Sequence, residues 1–316
     1  MNQHLIIVVL VVVGLVAVFS ALTGQRYHRD MHAAEARLLA NSRILKTHHG
    51  AIEYAVLGEG TPALLLHGAG GGYDQGVWQG KLALGDGYEF ISVSRYGYLR
   101  TPIPQNASIK TQAALYKDLL DYLNIQKVVV VGGSAGGPSA TQFANDYRER
   151  TLALILISAV SEAALRGDKP AFYVSIIHLI QQSDYAYWLV AKFMQPAILS
   201  LMGISADLYR KFSPAQKRMA QEMLDTMHPM TKRHQGTVND GRMIQREAVS
   251  RDNVSAPTLI LHAKDDALVS YNHAVAAHEA IKHSRLICFD NGGHGLLPQM
   301  NPVRQNTKEF VGTIMK

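Results

Sequence analysis

Cysteine is nearly missing from this 316-residue sequence, in which Cys288 is the only one. A single cysteine excludes an internal disulfide, and its count says little about the cellular compartment. Cys288 stands in the apolar run Leu286–Phe289, which is typical of a strand, so we expect a core residue rather than a nucleophile. Internal repeats and low-complexity tracts are also missing. The length allows one large α/β domain or two smaller ones.

Charged side chains are few, at 18% of the residues, although the net charge is +6. Positive charge can indicate nucleic-acid binding, but no basic cluster with interleaved aromatic residues occurs. We therefore expect no nucleic-acid partner, and we interpret the charge as favourable near anionic lipid. The glycines at 68–72 are not followed by the Gly-Lys-Ser/Thr of a phosphate-binding loop, and 132–137 does not fit G-x-G-x-x-G. Both observations argue against nucleotide binding.

One long hydrophobic run stands at the N-terminus, where Ser20 is the only polar side chain in Leu5–Leu22. This length fits a transmembrane helix. A cleaved signal peptide usually has a shorter apolar region preceded by basic residues, and Met1–His4 contains no Lys or Arg. We therefore favour an uncleaved single-pass membrane anchor over residues 1–24, followed by a linker at 25–42 with a short helix at 33–39.

Several basic residues follow the hydrophobic run, and by the positive-inside rule they place the folded part in the cytoplasm. These residues are Arg26, Arg29, Arg37, Arg43 and Lys46. If the first segment is instead removed as a signal peptide, the protein is exported.

Short apolar runs alternate with helical patterns over residues 43–160 and again over 257–316. Such alternation predicts a doubly wound, mostly parallel sheet, here of eight strands, built from two parts of the chain. Between them, residues 161–256 show only helical patterns rich in aromatic residues and Met. We interpret this insertion as a helical cap, with Pro196 kinking its helix over 185–202.

Ser134 stands directly after the apolar strand pattern of Val128–Val131, within the motif G-x-S-x-G of Gly132–Gly136. This motif is typical of a sharp strand-to-helix turn that exposes a nucleophilic serine. Glycine is favoured on both sides, because the turn needs an unusual backbone conformation and a close approach of neighbouring chain. Pro138 fits the first turn of the helix that follows.

A nucleophilic serine needs a base, and the base needs an acid that holds its tautomer. Two predicted strand ends after Ser134 supply candidates in the order acid, then His. Asp265 and Asp266 follow the first strand, and His294 follows the second. The carboxyl ends of strands are where sites form in open α/β sheets. An oxyanion hole would use the Ala135 N–H and a second N–H from Ala69 or Gly70.

Over Ile44 to the C-terminus, the sequence resembles the α/β-hydrolase superfamily. The motifs that carry the resemblance are His67-Gly68, Ser94–Gly97, Gly132–Gly136, Asp266–Val269 and Gly292–His294. In this family the acid usually stands as Asp-x-x-Val-Pro, and Asp266 fits that spacing with Ser270 in place of Pro, whereas Asp265 does not. The resemblance implies the α/β-hydrolase fold, with Ser134 as nucleophile, Asp266 as acid, His294 as base and Ala69 as the second oxyanion donor.

Other polar residues near the site have structural interpretations. We expect His67 to brace the loop after its strand, His262 to pack within a strand, and Asp265 to face solvent or cap a turn. A group of residues at another strand end is equally consistent with substrate contact or a structural role. This group is Arg95, Tyr96 and Arg100.

Together these features predict a membrane-anchored serine hydrolase that cleaves carboxylic esters of a lipophilic small molecule through an acyl-enzyme, without cofactor or metal. The same three residues also serve thioester, lactone, amide and carbon–carbon bond hydrolysis and cofactor-free perhydrolysis, which remain alternatives. Epoxide hydrolases and dehalogenases of this fold need Asp where Ser134 stands. The competing class is a non-catalytic pseudo-hydrolase, against which the complete set of three residues argues. The oligomeric state and the role of the cap aromatics stay open.

Overall fold

The computed structural model describes residues 3–162 and 171–315, with the backbone alone described at 3, 4, 6, 8–12, 15–17, 20 and 171–174. The chain forms two compact units, Met1–Ala40 and Asn41–Lys316. One helix, α1 (Gln3–Asn41), makes up the first unit. The predicted linker with a short helix at 33–39 is therefore wrong, because 25–41 continue α1. This stretch has neither Gly nor Pro, and Ala, Leu and Arg favour helix.

Within the described residues, no helix combines the length and the apolar character needed to cross a membrane. Many side chains of Leu5–Leu22, on which the predicted anchor depends, lie outside the described residues. The transmembrane span therefore stays a prediction.

The second unit contains an eight-stranded sheet among the residues that the structure describes, in the order β1-β2-β4-β3-β5-β6-β7-β8. β1 and β2 are antiparallel to their neighbours, and the remaining pairs are parallel. This arrangement confirms the predicted mostly parallel sheet. The strands are β1 (Arg43–Thr47), β2 (Gly50–Leu57), β3 (Thr61–Leu66), β4 (Tyr88–Val93), β5 (Val128–Gly133), β6 (Thr151–Ile157), β7 (Thr258–Ala263) and β8 (Ser284–Phe289).

Helices cover the sheet and form the insertion between β6 and β7. They are α2 (Tyr73–Ala83), α3 (Ile109–Tyr122), α4 (Gly137–Asp146), α5 (Ala171–Gln181), α6 (Asp184–Phe193), α7 (Gln195–Leu201), α8 (Ala206–Arg210), α9 (Pro214–Asp225), α10 (Thr231–Arg246), α11 (Asn272–Ala280) and α12 (Met300–Ile314). Single-turn or irregular 3₁₀ segments occur at Ser134–Gly136, Arg148–Arg150 and His294–Gln299.

The valines of β5 show how the sequence pattern builds the core. Val128 and Val130 pack into the cluster on the α3–α4 face of the sheet, while Val129 and Val131 pack into the cluster on the α2–α12 face. All four are buried. Successive strand side chains point to opposite faces, so an unbroken apolar run is expected where both faces are covered. The central position of β5 fixes the strand end that carries Ser134.

Cys288 corrects one expectation, because its side chain is exposed rather than part of the core. It lies in β8, which is the last strand in the sheet order and pairs only with β7. The residues of β8 are half-buried or exposed, in contrast to the fully buried β7. An edge strand is covered less completely than an internal one, which is why an apolar run did not imply burial here.

In the described part of the insertion, every regular element is a helix, from α5 to α10. The first residues of the predicted cap, 163–170, lie outside the described residues. The predicted kink at Pro196 is a break between α6 and α7, with the proline in the first turn of α7. Helices α6 to α9 share a third hydrophobic cluster that also includes Met230 and Leu297. The insertion thus has a core of its own.

Two buried ion pairs join α10 to the sheet domain. Arg95 donates to both carboxylate oxygens of Asp240 at 2.6 Å, and Arg233 donates to both of Asp74 at 3.0 Å. Burial would lower the pKa of Arg95, but the Asp240 carboxylate outweighs it and raises that pKa. Losing one partner of such a buried pair costs about 3–5 kcal/mol. Charge therefore fixes α10 to the core at two buried points.

Candidate active site

Ser134 occupies a strained turn between β5 and α4. Its φ is +49°, a left-handed conformation that costs energy for a residue with a side chain. The turn is possible because the surrounding glycines leave room: a Cβ on Gly136 would lie 2.3 Å from the Leu66 carbonyl oxygen, and one on Gly132 would lie 2.6 Å from Ala140 Cβ. This geometry explains the G-x-S-x-G motif and presents the serine side chain at the end of the sheet.

The structure brings Ser134, His294 and Asp266 into one hydrogen-bonded chain. The distance from Ser134 Oγ to His294 Nε2 is 3.0 Å, and that from His294 Nδ1 to Asp266 Oδ2 is 2.9 Å. Since an ionised carboxylate only accepts hydrogen bonds, Nδ1 carries the proton of the neutral ring. Nε2 is then free to accept the proton of the serine hydroxyl. The arrangement is that of a general base beside an alcohol.

Asp266 is held in place from several directions. Its Oδ1 accepts hydrogen bonds from the Leu268 and Val269 N–H groups, both at 2.9 Å. His262 Nε2 lies 3.3 Å from Oδ2. Burial alone would raise the pKa of Asp266, but the nearby His294 and these hydrogen bonds lower it well below its ordinary value. The carboxylate therefore stays ionised although it is buried.

His262 lies within a strand as expected, but it also touches the acid, which the sequence did not indicate. Its Nε2 is 2.9 Å from the Val269 carbonyl oxygen as well as 3.3 Å from Asp266. Both neighbours are acceptors, so Nε2 carries the proton. The spacing of four residues between His262 and Asp266, across the end of β7, is the only sequence signal for this contact.

Asp265 is exposed, but it does more than face solvent. Its Oδ1 accepts hydrogen bonds from the Gly292 and Gly293 N–H groups at 2.9 and 2.8 Å. These glycines lead directly into His294. The two adjacent aspartates thus have different roles. Asp266 contacts the histidine ring, and Asp265 holds the loop that carries the histidine.

The backbone after His294 is also constrained. Gly293, Gly295 and Leu296 all have positive φ, and Ser158 Oγ accepts a hydrogen bond from the Gly295 N–H at 3.2 Å. From the cap, the Gly203 carbonyl accepts a hydrogen bond from the His294 N–H at 3.3 Å. Both the core and the cap therefore fix the position of the histidine.

The two candidates for the second oxyanion donor, Ala69 and Gly70, differ in the hydrogen bonds of their N–H groups. The Gly70 N–H donates to Thr237 Oγ1 at 3.1 Å, so it is already engaged with α10. Ala69 and Ala135 both line the cavity beside Ser134. Within the described residues, the Ala69 N–H has no protein acceptor. Of the two predicted alternatives for the second donor, the structure favours Ala69 over Gly70.

The remaining polar candidates are structural. His67 is buried; its Nδ1 donates to the Gly68 carbonyl at 2.7 Å, and its Nε2 accepts from the Arg95 N–H at 3.1 Å. Burial first, and the Arg95 charge second, hold the pKa of His67 well below its ordinary value. Arg100 pairs with the buried Glu53 at 2.7 Å. Within the described residues, neither these arginines nor Tyr96 line the cavity.

A cavity of about 710 Å³ lies beside Ser134 and His294, between core and cap. The cavity residues that belong to or pack against the cap cluster are here called the apolar wall. These residues are Trp78, Leu201, Met202, Ile204, Met223, Met227 and Leu297. The polar cavity residues of α5 and α10 without an ion pair among the described residues are here called the polar wall, and they are His178, Gln181, Thr237, Arg242 and Gln245. The same two helices also contribute the apolar Ile177, Val238 and Ile244 and the ion-paired Asp240. The sequence showed neither wall, because each forms only when cap helices pack.

In the described ranges, 3–162 and 171–315, no group of three or more His, Cys, Asp or Glu side chains could hold a metal ion.

Comparisons with known proteins identify the family of this chain. A family model described as alpha/beta hydrolase fold matches residues 61–299. An uncharacterized hydrolase of Bacillus subtilis, YcgS, is 31% identical over 78% of this chain and 88% of its own length. The chain therefore belongs to the alpha/beta hydrolase fold family. This membership supports a hydrolase as the class of enzyme.

Two solved structures share the fold. An alpha/beta hydrolase fold protein from Nakamurella multipartita is 25% identical, with a TM-score of 0.72 over 85% of this chain and 98% of that one. An esterase from Exiguobacterium antarcticum is 22% identical, with a TM-score of 0.63 over 86% of this chain and 99% of that one. The fold is thus shared over nearly the whole length of both solved structures.

Proposed function

We propose that the protein is a serine hydrolase that cleaves carboxylic esters of lipophilic molecules. One observation carries the proposal: Ser134 Oγ lies 3.0 Å from Nε2 of His294, whose Nδ1 is bonded to the buried Asp266. Ser134 and His294 line a cavity that also contains the apolar wall. A nucleophile, a base and an orienting acid in this geometry support acyl transfer.

In the proposed reaction, His294 takes the Ser134 proton as Oγ attacks the ester carbonyl. The Ala135 and Ala69 N–H groups stabilise the negative oxygen that forms, and each such donor contributes about 3 kcal/mol. His294 then gives the proton to the departing alcohol. Water attacks the acyl-enzyme with His294 again as base, and Ser134 is released. Asp266 stays ionised and stabilises the positive ring.

The proposal is tested by replacing the nucleophile. For Ser134→Ala we expect the kcat for p-nitrophenyl octanoate to fall by about 10⁶-fold, to the level left by oxyanion and binding contacts. Labelling by a fluorophosphonate probe should be lost as well. Ser200→Ala, on the exposed surface of α7, is the matched control and should keep both. Wild-type turnover by Ser134→Ala would refute the serine mechanism, and a folded wild-type protein that neither reacts with the probe nor turns over esters would indicate a pseudo-hydrolase.

We infer in addition that the segment Leu5–Leu22 anchors the protein in a membrane, with the second unit on the cytoplasmic side. The support comes from the sequence, namely the length of the apolar run and the basic residues that follow it. N-terminal sequencing of the protein purified from membranes tests this inference. A mature chain that starts beyond residue 24 would show a cleaved signal peptide instead.

A further inference from the structure

The cavity beside Ser134 contains a buried amide that the described protein does not satisfy. Gln181, the last residue of α5, lines the cavity and is 8% exposed. Its Oε1 is buried and accepts no hydrogen bond within the described residues. A buried polar atom without a partner costs free energy, and a cavity ligand that donates a hydrogen bond would recover it. The position therefore indicates a polar contact with a ligand.

Other polar residues surround this amide. His178 lies one helical turn before Gln181 on the same face of α5, and its ring meets that of His234 on α10 at 5.6 Å. From α10, Thr237, Arg242 and Gln245 also line the cavity. They stand at positions i, i+5 and i+8 of that helix, which spreads them over about 140° of its circumference. The polar wall is thus supplied by two helices, α5 and α10.

The polar wall is distinct from the apolar wall. The apolar wall belongs to or packs against the hydrophobic cluster of α6 to α9, whereas the polar wall comes from α5 and α10, which also contribute Ile177, Val238 and Ile244. The same cavity therefore presents both hydrocarbon and hydrogen-bonding groups. This division fits a ligand that is itself amphipathic.

The chemistry of the polar wall selects the polar group of that ligand. Gln181 Oε1 needs a hydrogen-bond donor, which an ionised carboxylate or a phosphate diester does not have. Arg242 lines the cavity from the exposed side of α10 and forms no ion pair among the described residues, so it offers donors. A hydroxyl group both donates and accepts, and it satisfies Gln181 and Arg242 alike.

We propose that the polar wall is a subsite for the hydroxyl-bearing part of an ester whose hydrocarbon chain lies against the apolar wall. This inference rests on the proposed function of Ser134. It narrows the substrate class from lipophilic esters in general to amphipathic ones, such as partial esters of polyols or esters of hydroxy acids. Gln181 is then a specificity-determining residue.

The test compares two esters with the same carbon skeleton, glyceryl monooctanoate and propyl octanoate, which differ only in the two hydroxyl groups. Propyl hydroxyoctanoate, with a terminal hydroxyl on the acyl chain, is the third substrate. We expect the wild type to favour one of the hydroxylated esters by about tenfold in kcat/KM, as for a pair of hydrogen bonds. Gln181→Leu should lower this preference by about tenfold.

Gln182→Leu is the matched control, because Gln182 is the next residue, is exposed and does not line the cavity. It should keep the wild-type preference. Fluorophosphonate labelling of Ser134 in Gln181→Leu shows that the fold and the nucleophile are intact. A preference that is lost in Gln181→Leu but kept in Gln182→Leu supports the subsite, whether the hydroxyl is on the alcohol or on the acyl chain.

Two results would overturn the proposal, and they differ in what else they affect. Equal turnover of all three esters by the wild type, or a preference that Gln181→Leu retains, removes the subsite but leaves the serine hydrolase standing. No turnover of any ester, together with no fluorophosphonate labelling, overturns both.

Discussion

At the carboxyl ends of β5, β7 and β8, the polar side chains are hydrogen-bonded to one another and to nearby backbone. In the described part of the cap, by contrast, several buried polar atoms have no hydrogen-bond partner. Asp266 receives bonds from two backbone N–H groups and contacts two imidazoles. In the cap, both ring nitrogens of His228 and the Oε1 of Gln181 are buried without a partner.

Groups that carry out chemistry and groups that select a substrate have different requirements for hydrogen bonding. The groups proposed for chemistry must be held within fractions of an ångström of one geometry, so their hydrogen bonds are completed within the protein. A cavity wall that selects a substrate needs groups whose partner is the substrate itself. Not every unpaired atom follows this division, since His228 does not line the cavity and Nδ1 of His262, near the acid, is also buried without a partner among the described residues. Substitutions at the strand ends and in the cap test the two regions separately.

The largest effect is expected at the hydrogen-bonded strand ends, when the acid Asp266 is replaced. In Asp266→Asn, the amide oxygen should keep the Leu268 and Val269 N–H groups, which places the amide NH₂ against His294 Nδ1. The imidazole must then accept at Nδ1 and carry its proton on Nε2, where it cannot act as base. We expect kcat for p-nitrophenyl octanoate to fall by about 10⁴-fold.

Asp265→Asn is the matched control for this change, since it alters the neighbouring aspartate in the same way but does not touch the imidazole. It should reduce kcat far less. Comparable losses in the two variants would show that Asp266 acts only by holding its loop.

An intermediate effect is expected on the free energy of unfolding, at the cap residue His228, whose ring nitrogens have no partner among the described residues. Burial lowers the pKa of His228 to about 4, while Asp225 opposes this shift only in part. Because the folded-state pKa lies below the ordinary value, the unfolded chain binds more protons between about pH 6.5 and 4. The free energy of unfolding should therefore fall as the pH is lowered through this window, and the buried His67 acts in the same direction.

Urea unfolding at pH 7 and pH 4.5 measures this dependence. For His228→Phe we expect the loss of stability between the two pH values to be smaller than in the wild type by roughly 2–3 kcal/mol. His283→Phe, an exposed histidine, should leave the loss unchanged. If His228→Phe keeps the wild-type dependence, His228 does not resist protonation in the folded protein.

The smallest effect is again expected at the hydrogen-bonded strand ends, in the loop before His294 that Asp265 holds. Asp265→Ala removes the acceptor for the Gly292 and Gly293 N–H groups. We expect kcat to fall about tenfold, because a hydrogen bond to a charged group is worth roughly 1.5–3 kcal/mol and the exposed Asp265 lies at the low end of that range. KM should change little, because Asp265 does not line the cavity. Steady-state kinetics separates the two constants.

Asp290→Ala is the control for Asp265→Ala, because Asp290 lies just before the same loop but pairs with Lys264 at the surface. It should behave like the wild type. Equal kcat in Asp265→Ala and the wild type would show that the strained glycine backbone positions His294 without this carboxylate.

The sequence by itself determined the sheet and the order of its functional strand ends. Val128–Val131 could be placed because a strand buried on both faces must be apolar throughout, and Gly132–Gly136 because a tight turn with positive φ leaves no space for side chains. His294 and Asp266 followed because parallel strands bring their carboxyl ends to one edge. These are local requirements, which a linear pattern records directly.

Only the tertiary structure decided the contacts between distant segments. Arg95 was open between substrate contact and a structural role until Asp240, on a cap helix, was placed against it. Cys288 was placed in the core because its run is apolar, although β8 is an edge strand. The two walls of the cavity were invisible for the same physical reason: which face of a cap helix meets the core depends on packing between helices, and that packing leaves no fixed spacing in the sequence.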